Sequence, residues 1–375
     1  MQVTSSSSMD MNQEKQINVL VADDSAFMRT ALTRMIESDK QLKVIGTALN
    51  GIDALEKIVT LKPDVVTLDI EMPRLDGLSV LRRVMQESPL PVIIISSLSQ
   101  EGAEASIEAL ELGAFECIPK ELSYVSLDIV KIREYLVETI KAAAASQLVA
   151  IPSLGKPIPP MAEMQPGPMS HSGPTPAILA IGSSTGGPKA LQEVLTALPA
   201  NFPVPALIVQ HMPAGFTGPF ATRLNSICKV RVKEAEQGEV LEPGTVLIAP
   251  ATWHLTVQRR TPAKCCVALA KEPANTLHRP SVDVMMLSVA EAFRSQAVGV
   301  ILTGMGADGA QGMKAIYQAG GHTIGQDAAT CAVYGMPRAC AEMGILKRVA
   351  PLPRISSEIM ASMPGIRSLS LASAT

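Results

Sequence analysis

The chain is poor in aromatic residues and lacks the features of secreted, membrane or disulfide-bonded proteins. Phe, Trp and Tyr make up 3% of its 375 residues, so its cores must consist mainly of aliphatic side chains and methionine. No apolar run reaches the roughly 18 residues of a membrane-spanning helix, and the N-terminal stretch has no signal-peptide core. The six cysteines are scattered, without a C-x-x-C pair. We therefore expect a cytoplasmic protein with reduced thiols and no membrane insertion.

Charged residues are also scarce, at 18% of the chain, and they are unevenly distributed. Residues 1–139 carry 13 Lys and Arg against 22 Asp and Glu, a net charge of −9, whereas residues 177–375 carry 17 against 12, a net charge of +5. Opposite charges favour docking of the two halves, and the basic half should prefer acidic partners. The chain has no dense basic stripe interleaved with aromatics, which argues against nucleic-acid binding.

A proline-rich stretch, residues 142–176, divides the chain into two regular halves. Its prolines exclude a continuous helix or central strand and predict a semi-extended linker. The first half contains five βα units, which predict a doubly wound parallel sheet. The predicted strands are 17–22, 43–48, 64–68, 92–96 and 115–118, and the predicted helices are 26–37, 52–61, 78–86, 104–112 and 126–143.

The second half alternates less regularly and predicts a second α/β domain with a mixed, mostly parallel sheet. Strands are expected at 177–182, 204–210, 246–249 and 297–302, and helices at 188–198, 283–294, 310–319 and 330–342. Residues 230–235, 255–258 and 265–269 are typical of antiparallel additions to that sheet.

Aspartates lie at the C-terminal ends of two predicted strands of the first half. Asp23 and Asp24 close the first strand, Asp69 closes the third, and Lys120 follows the fifth. Because the carboxyl ends of parallel strands meet at one edge, these groups should converge there. Three carboxylates suit Mg²⁺, while Lys120 and Ser96 can neutralise and hydrogen-bond a phosphoryl group. Each residue alone is more simply a helix cap or a surface charge, but together at matching strand ends they predict a site.

Ser184 lies in Gly182-Ser-Ser-Thr-Gly186, directly after the apolar run 177–181. At a strand-to-helix turn, the G-x-S-x-G spacing lets the backbone turn sharply and exposes the serine hydroxyl. The pattern alone is weak, because such a turn also serves as a helix N-cap or a phosphate cradle. The glycine spacing favours Ser184 over Ser183 as a nucleophile.

A serine nucleophile needs an imidazole base and a carboxylate that orients the base. His211 and Asp308 each follow a predicted strand, so they can meet Ser184 at one sheet edge. We interpret four other residues of this half as structural or capping groups: His254, His278, Asp283 and Asp327. The two histidines are also possible substrate-side groups.

Two rival interpretations of the same region remain open from the residues. An ordinary α/β-hydrolase would use the order Ser184, Asp308, His322, and it predicts that loss of His322 abolishes turnover. Residues 304–309 also form a literal G-x-G-x-x-G after a strand, with Asp327 downstream as in a dinucleotide fingerprint. This loop comes late in its domain and contains a carboxylate, so nucleotide binding is less favoured than hydrolysis.

The stretches V-L-V-A-D-D-S, L-D-I-E-M-P-R-L-D-G-L and I-I-I-S-S-L resemble a two-component receiver domain over residues 17–139. The resemblance implies phosphoryl transfer from a histidine kinase to Asp69. One departure is Pro119-Lys120-Glu121, where receivers usually have Lys followed by Pro.

The stretches A-I-G-S-S-T-G-G-P, V-Q-H-M-P-A-G-F-T, H-R-P-S-V-D and I-L-T-G-M-G-A-D-G resemble the catalytic domain of the CheB family of chemotaxis methylesterases. The resemblance implies hydrolysis of glutamate γ-methyl esters on the cytoplasmic helices of chemoreceptors, glutamine deamidation, and a receiver that covers the site until Asp69 is phosphorylated. It implies Ser184 as nucleophile, His211 as base and Asp308 as its partner. For the oxyanion we select the backbone N–H groups of Thr185 and Met305. No metal is expected in the esterase.

The resulting predicted organisation is an N-terminal tail, a receiver domain, a linker, a methylesterase domain and a C-terminal tail, at residues 1–16, 17–139, 140–176, 177–362 and 363–375. A different class of function is a signalling adaptor whose hydrolase-like domain only binds a partner. The presence of all three triad candidates favours the enzyme.

Overall fold

The computed structural model describes residues 16–97, 99–120, 128–146, 177–261 and 264–363. Two parallel sheets organise these residues, one on each side of the proline-rich stretch. The predicted N-terminal tail, most of the linker and most of the C-terminal tail lie outside the described residues. None of the described helices is long and apolar enough to cross a membrane.

The first sheet has five parallel strands in the order β2-β1-β3-β4-β5. The strands are β1 (Ile17–Ala22), β2 (Leu42–Ala48), β3 (Val65–Asp69), β4 (Val92–Ser96) and β5 (Glu116–Pro119). The helices are α1 (Ala26–Ile36), α2 (Gly51–Leu61), α3 (Gly77–Glu87), α4 (Gln100–Leu112) and α5 (Asp128–Ala145). The central strands are buried on both faces, which explains their continuous Val, Ile and Leu runs.

The second sheet has seven parallel strands in the order β14-β13-β12-β6-β7-β9-β8. The strands of the second half are β6 (Ile178–Ser183), β7 (Ala206–Gln210), β8 (Arg231–Glu234), β9 (Thr245–Ile248), β10 (His254–Thr261), β11 (Lys264–Ala270), β12 (Ala297–Ile301), β13 (His322–Gln326) and β14 (Arg348–Ala350). The helices are α6 (Gly187–Thr196), α7 (Thr217–Ile227), α8 (Val282–Phe293), α9 (Ala310–Gln318), α10 (Met336–Glu342) and α11 (Leu352–Ala361). Strands β10 and β11 form a separate antiparallel hairpin.

The fold class is confirmed, with corrections in detail. The segment 230–235 is wrong as an antiparallel addition, because β8 pairs with β9 in parallel. The other two predicted additions pair with each other and not with the main sheet. Helix α5 continues to Ala145, so the predicted linker boundary at residue 140 falls inside it. The prediction missed β13, β14, α7 and α11; the two strands are short and begin with His322 and Arg348.

The two halves pack against each other through α4, β5 and α5 of the first. Ile107 of α4 lies within the aliphatic core of the second half, and Ala332 and Val333 of the second half pack against the core of the first. Arg223 of α7 donates to both carboxylate oxygens of Glu111 in α4, at 2.6 and 3.0 Å. This exposed ion pair contributes little energy, and its signs match the charge asymmetry of the halves.

Candidate active site

Ser184 stands on a tight turn between β6 and α6, and the turn requires glycine. Gly186 has a φ of +75°, and a Cβ on it would lie 2.5 Å from the Ala332 Cβ, so a larger residue is excluded both by conformation and by space. The Ser184 N–H donates to the Thr303 carbonyl at 3.0 Å, and its own carbonyl accepts from Gly187 at 2.7 Å. Only 5% of the surface of Ser184 is accessible to solvent.

His211 follows the strand adjacent to the one that ends at Ser184. Ser183 and Gln210 are partners in the parallel register of β6 and β7, and the His211 N–H donates to the Ser183 carbonyl at 3.1 Å. The His211 Nε2 lies 2.9 Å from the Asp308 Oδ2. Its Nδ1 is buried and meets no hydrogen-bond partner in the described part of the chain. The tautomer in which Nε2–H donates to the carboxylate leaves Nδ1 as an unprotonated acceptor, which is what a general base requires.

Asp308 precedes α9 in the sequence, but its carboxylate lies against the N-terminus of α8. There it accepts three further hydrogen bonds. The Val282 and Asp283 N–H groups donate at 2.7 and 3.0 Å, and the Ser281 hydroxyl donates at 2.9 Å. Burial by itself raises the pKa of Asp308, but His211 and the α8 N–H groups hold it well below its usual range. Asp308 therefore remains a carboxylate throughout the physiological pH range.

Asp283 and Asp308 cap each other's helices. Asp308, which precedes α9, accepts from the first turn of α8, while Asp283 in α8 accepts from Gly312 of α9 at 2.7 Å. The two helix N-termini that border the G-x-G-x-x-G loop are thus already occupied by carboxylates. A phosphate has no free N–H cradle there, which argues against the dinucleotide interpretation.

Of the three other histidines that the structure describes, one lies beside His211 and two lie elsewhere. His278 stacks on His211 with ring centroids 4.1 Å apart, a contact that sequence reasoning missed because both rings come from distant loops. Burial, followed by the neighbouring His211, lowers the pKa of His278 to about 4, so its ring is neutral. His254 accepts from the Ser281 N–H and is structural. His322 begins β13, at the sheet edge opposite Asp308, and this placement disfavours the rival triad.

The carboxylates of the first sheet converge as predicted. Ligand atoms of Asp23, Asp24 and Asp69 lie within 4.8 Å of one another. Lys120 Nζ lies 3.1 Å from the Asp23 Oδ2 and 2.6 Å from the Asp69 Oδ2. No hydrogen bond of good geometry reaches either of these buried oxygens from the described residues. A pair of under-satisfied oxygens in an all-carboxylate donor set fits a hard divalent cation such as Mg²⁺.

Burial raises the pKa of Asp69 to about 6, and the nearby Asp23 carboxylate adds to the rise, while Lys120 opposes it. A bound cation would change this balance, because its positive charge favours the carboxylate form of Asp69. Ser96 is buried and its hydroxyl donates to the Gly102 and Ser97 carbonyls, both at 3.1 Å. Its hydroxyl therefore faces the start of α4 in this structure.

A face of the first half covers the turn that carries Ser184. Glu116 of β5 and Tyr135 of α5 both lie against Thr185, the residue after Ser184. Burial raises the pKa of Glu116 to about 7, and the Cys117 N–H and the Thr185 and Tyr135 hydroxyls offset the rise only in part. β5 also leads directly to Lys120, so one strand connects the carboxylate cluster with the covered serine turn.

Comparisons with known proteins agree with this geometry. A family profile described as CheB methylesterase matches residues 179–359, and a response regulator receiver domain profile matches residues 19–129. A protein-glutamate methylesterase/protein-glutamine glutaminase 2 of Nitratidesulfovibrio vulgaris is 47% identical over 362 residues, covering 92% of this chain and 98% of that protein. This chain belongs to the CheB methylesterase family.

One further relative spans both parts of the chain, and one solved structure matches the second part. The protein-glutamate methylesterase/protein-glutamine glutaminase of Halalkalibacterium halodurans is 47% identical over 348 residues, covering 92% of this chain and 98% of that one. The crystal structure of the Thermotoga maritima CheB methylesterase catalytic domain is 42% identical, with a TM-score of 0.49 and coverage of 50% of this chain and 98% of that one. The receiver and CheB methylesterase profiles coincide with the five-stranded and seven-stranded sheets, which we call the receiver and catalytic domains below.

Proposed function

We propose that this protein hydrolyses glutamate γ-methyl esters on the cytoplasmic helices of chemoreceptors, releases methanol, and deamidates specific glutamines at the same site. The relatives' names supply the substrate class. The observation that carries the chemistry is His211: its Nε2 binds Asp308, its backbone N–H binds the Ser183 carbonyl, and its buried Nδ1 has no partner among the described residues. A binding-only adaptor has no need of this arrangement.

In the proposed reaction, the Ser184 Oγ attacks the ester or amide carbonyl carbon while His211 Nδ1 takes the hydroxyl proton. His211 then returns this proton to the leaving methoxide or amide nitrogen, so that methanol or ammonia departs and an acyl-enzyme remains. Water, deprotonated by His211, hydrolyses the acyl-enzyme to glutamate and restores Ser184. The N–H groups of Thr185, before the α6 N-terminus, and of Met305 are our candidates for the oxyanion donors.

We infer that a histidine kinase supplies the phosphoryl group that Asp69 accepts. Mg²⁺ held by Asp23, Asp24 and Asp69 would neutralise phosphoryl charge, and Lys120 would contact the same group. Because Ser184 is almost completely covered and Thr185 packs on Glu116, a receptor helix can reach Ser184 only after the receiver moves. Phosphorylation is expected to favour that movement.

The test of this proposal is methanol release from methylated chemoreceptor. The wild-type protein should release methanol, and a small acyl-phosphate donor with Mg²⁺ should increase the rate by roughly 5- to 150-fold, the usual range of allosteric coupling. Asp69→Asn should keep the basal rate and lose the increase, because asparagine cannot form the acyl phosphate.

Asp64→Asn is the matched control for Asp69→Asn. Asp64 lies at the opposite end of β3, where its carboxylate accepts from the Asn18 N–H at 2.8 Å. This variant should retain the increase with phosphodonor. Absence of methanol release by the phosphorylated wild-type protein would contradict the proposed function.

Basal activity should depend on pH through Glu116. The pKa of Glu116 is about 7 in the covered state, against an ordinary value of 4.5, and hydration on opening lowers it. The covered state therefore binds more protons between these values, and raising the pH favours opening. We expect the ratio of unphosphorylated to phosphorylated activity to rise from pH 5 to pH 7.

In the Glu116→Gln variant, the ratio of unphosphorylated to phosphorylated activity should be low and independent of pH. A neutral amide removes the cost of burying a charge, so the covered state is favoured at every pH. Glu87→Gln is the control, since Glu87 is exposed on α3 and forms an ion pair with Arg83. A Glu116→Gln ratio that keeps the wild-type pH dependence would refute this role.

A further inference from the structure

Gln210, the last residue of β7, is 1% exposed and connects the two loops that carry the nucleophile and the base. Its Nε2 donates to the Ser184 carbonyl at 2.9 Å and to the His211 carbonyl at 3.0 Å. Its Oε1 accepts from the Ser183 hydroxyl at 2.7 Å. One carboxamide thus binds three residues of the proposed site: Ser183, Ser184 and His211.

The chemistry of these partners requires an amide. Both carbonyl oxygens can only accept, so the group that faces them must have two N–H donors on one atom. The third partner is a hydroxyl, which donates to the amide oxygen. A carboxylate of the same shape would place a negative charge against two carbonyl oxygens in a buried position.

The surroundings of Gln210 leave no room for an alternative arrangement. A Cβ on Gly187, the first residue of α6, would lie 2.0 Å from the Gln210 Oε1. The start of α6 therefore packs directly on the amide. This contact explains the second glycine of the Gly186-Gly187 pair, which the nucleophile turn itself does not require.

We propose that Gln210 is a positioning residue for the reaction: its carboxamide fixes the backbone of Ser184 relative to that of His211, and so sets the approach of the serine hydroxyl to the imidazole. The inference rests on the proposed roles of Ser184 and His211. Gln210 itself does not contact the substrate, since its polar atoms are all engaged by the protein. A misplacement of about 1 Å in such a pair lowers the rate by up to about 100-fold.

The experiment compares Gln210→Glu and Gln210→Met with the wild-type full chain, phosphorylated by an acyl-phosphate donor, in methanol release from methylated chemoreceptor. Both variants should lower kcat by roughly 10- to 100-fold and leave KM within about twofold. The ratio of Gln210→Glu to wild-type kcat should rise as the pH falls, because a protonated carboxyl can donate to one carbonyl. The ratio for Gln210→Met should be constant with pH.

Gln326→Glu is the matched control, assayed alongside thermal melting of every variant. Gln326 is equally buried at the end of β13; its Oε1 accepts from Thr303, a contact that glutamate keeps, and its Nε2 donates to Thr330. This control should lose stability as Gln210→Glu does and keep kcat within about fivefold of wild type.

Three results would overturn the positioning role: wild-type kcat in Gln210→Met, equal losses of kcat in Gln210→Glu and Gln326→Glu, or a rise in KM without a fall in kcat. If Gln210→Glu does not fold, Gln210→Met still decides, since it introduces no charge. Ser184→Ala in the same assay separates the two levels of inference. Full turnover by Ser184→Ala contradicts the proposed nucleophile, whereas an inactive Ser184→Ala with an unimpaired Gln210→Met contradicts only the role of Gln210.

Discussion

Ser184→Ala is expected to lower kcat for ester hydrolysis by about 10⁵- to 10⁶-fold, the loss seen when a hydrolase loses its serine nucleophile. Without the hydroxyl no acyl-enzyme forms, and His211 has no proton to accept. The fold should persist, because the serine's three hydrogen bonds, to Thr303 and from Gly187 and Gln210, involve only its backbone. The measurement is methanol release by the phosphorylated protein, together with mass spectrometry of the trapped acyl-enzyme.

Ser183→Ala provides the comparison for Ser184→Ala. The Ser183 hydroxyl donates to the Gln210 Oε1, so its loss removes one buried hydrogen bond and no nucleophile. A hydrogen bond of this kind contributes about 1 kcal/mol, which corresponds to a decrease in rate of about fivefold. If Ser183→Ala were the more severe change, the assignment of the nucleophile within the pair would be reversed.

Asp308→Asn is expected to lower kcat by about 10⁴-fold, through the tautomer of His211. An asparagine amide that faces His211 Nε2 donates to it, and Nε2 must then be the unprotonated nitrogen. The proton moves to Nδ1, which can no longer accept from Ser184. KM should change little, because Asp308 lies behind the imidazole. Steady-state kinetics would measure kcat and KM, and the ¹⁵N chemical shifts of the His211 ring nitrogens would report the tautomer.

Asp327→Asn is the matched control for Asp308→Asn. Its carboxylate accepts from the Thr330 N–H at 3.0 Å and closes a turn outside the proposed triad. The variant should keep kcat within about fivefold of wild type, the cost of a weakened turn. A similar loss of kcat in both variants would indicate that Asp308 acts through stability alone.

The receiver fold was predictable because its strands are apolar and regularly spaced. Five runs such as Val92–Ser96 are separated by amphipathic helices, and each structural strand lies within two residues of its predicted bounds. The catalytic domain was less predictable since β14 has three residues and β13 begins with a histidine. The direction of β8 depends on its partner, β9, and no local pattern encodes a partner.

The candidate site residues that follow the end of a strand were predictable from the sequence. Ser184, His211 and Asp308 each follow a strand, and parallel strands gather such residues at one edge. The contacts of Gln210 and His278 were not predictable, because they depend on side-chain direction and on loops distant in sequence. The polar Gln210 at the end of an apolar strand was the one available signal.

Thr185 has neighbours of two kinds: on one side Ser184, the proposed nucleophile, and on the other the receiver residues Glu116 and Tyr135. A substitution that improves the fit to the receiver therefore also moves the backbone beside Ser184, and the reverse holds as well. Under the proposed function, repression by the receiver and turnover are therefore coupled through Thr185. We expect natural variation in the strength of repression to accumulate on Glu116 and Tyr135, and Thr185 to change only together with them.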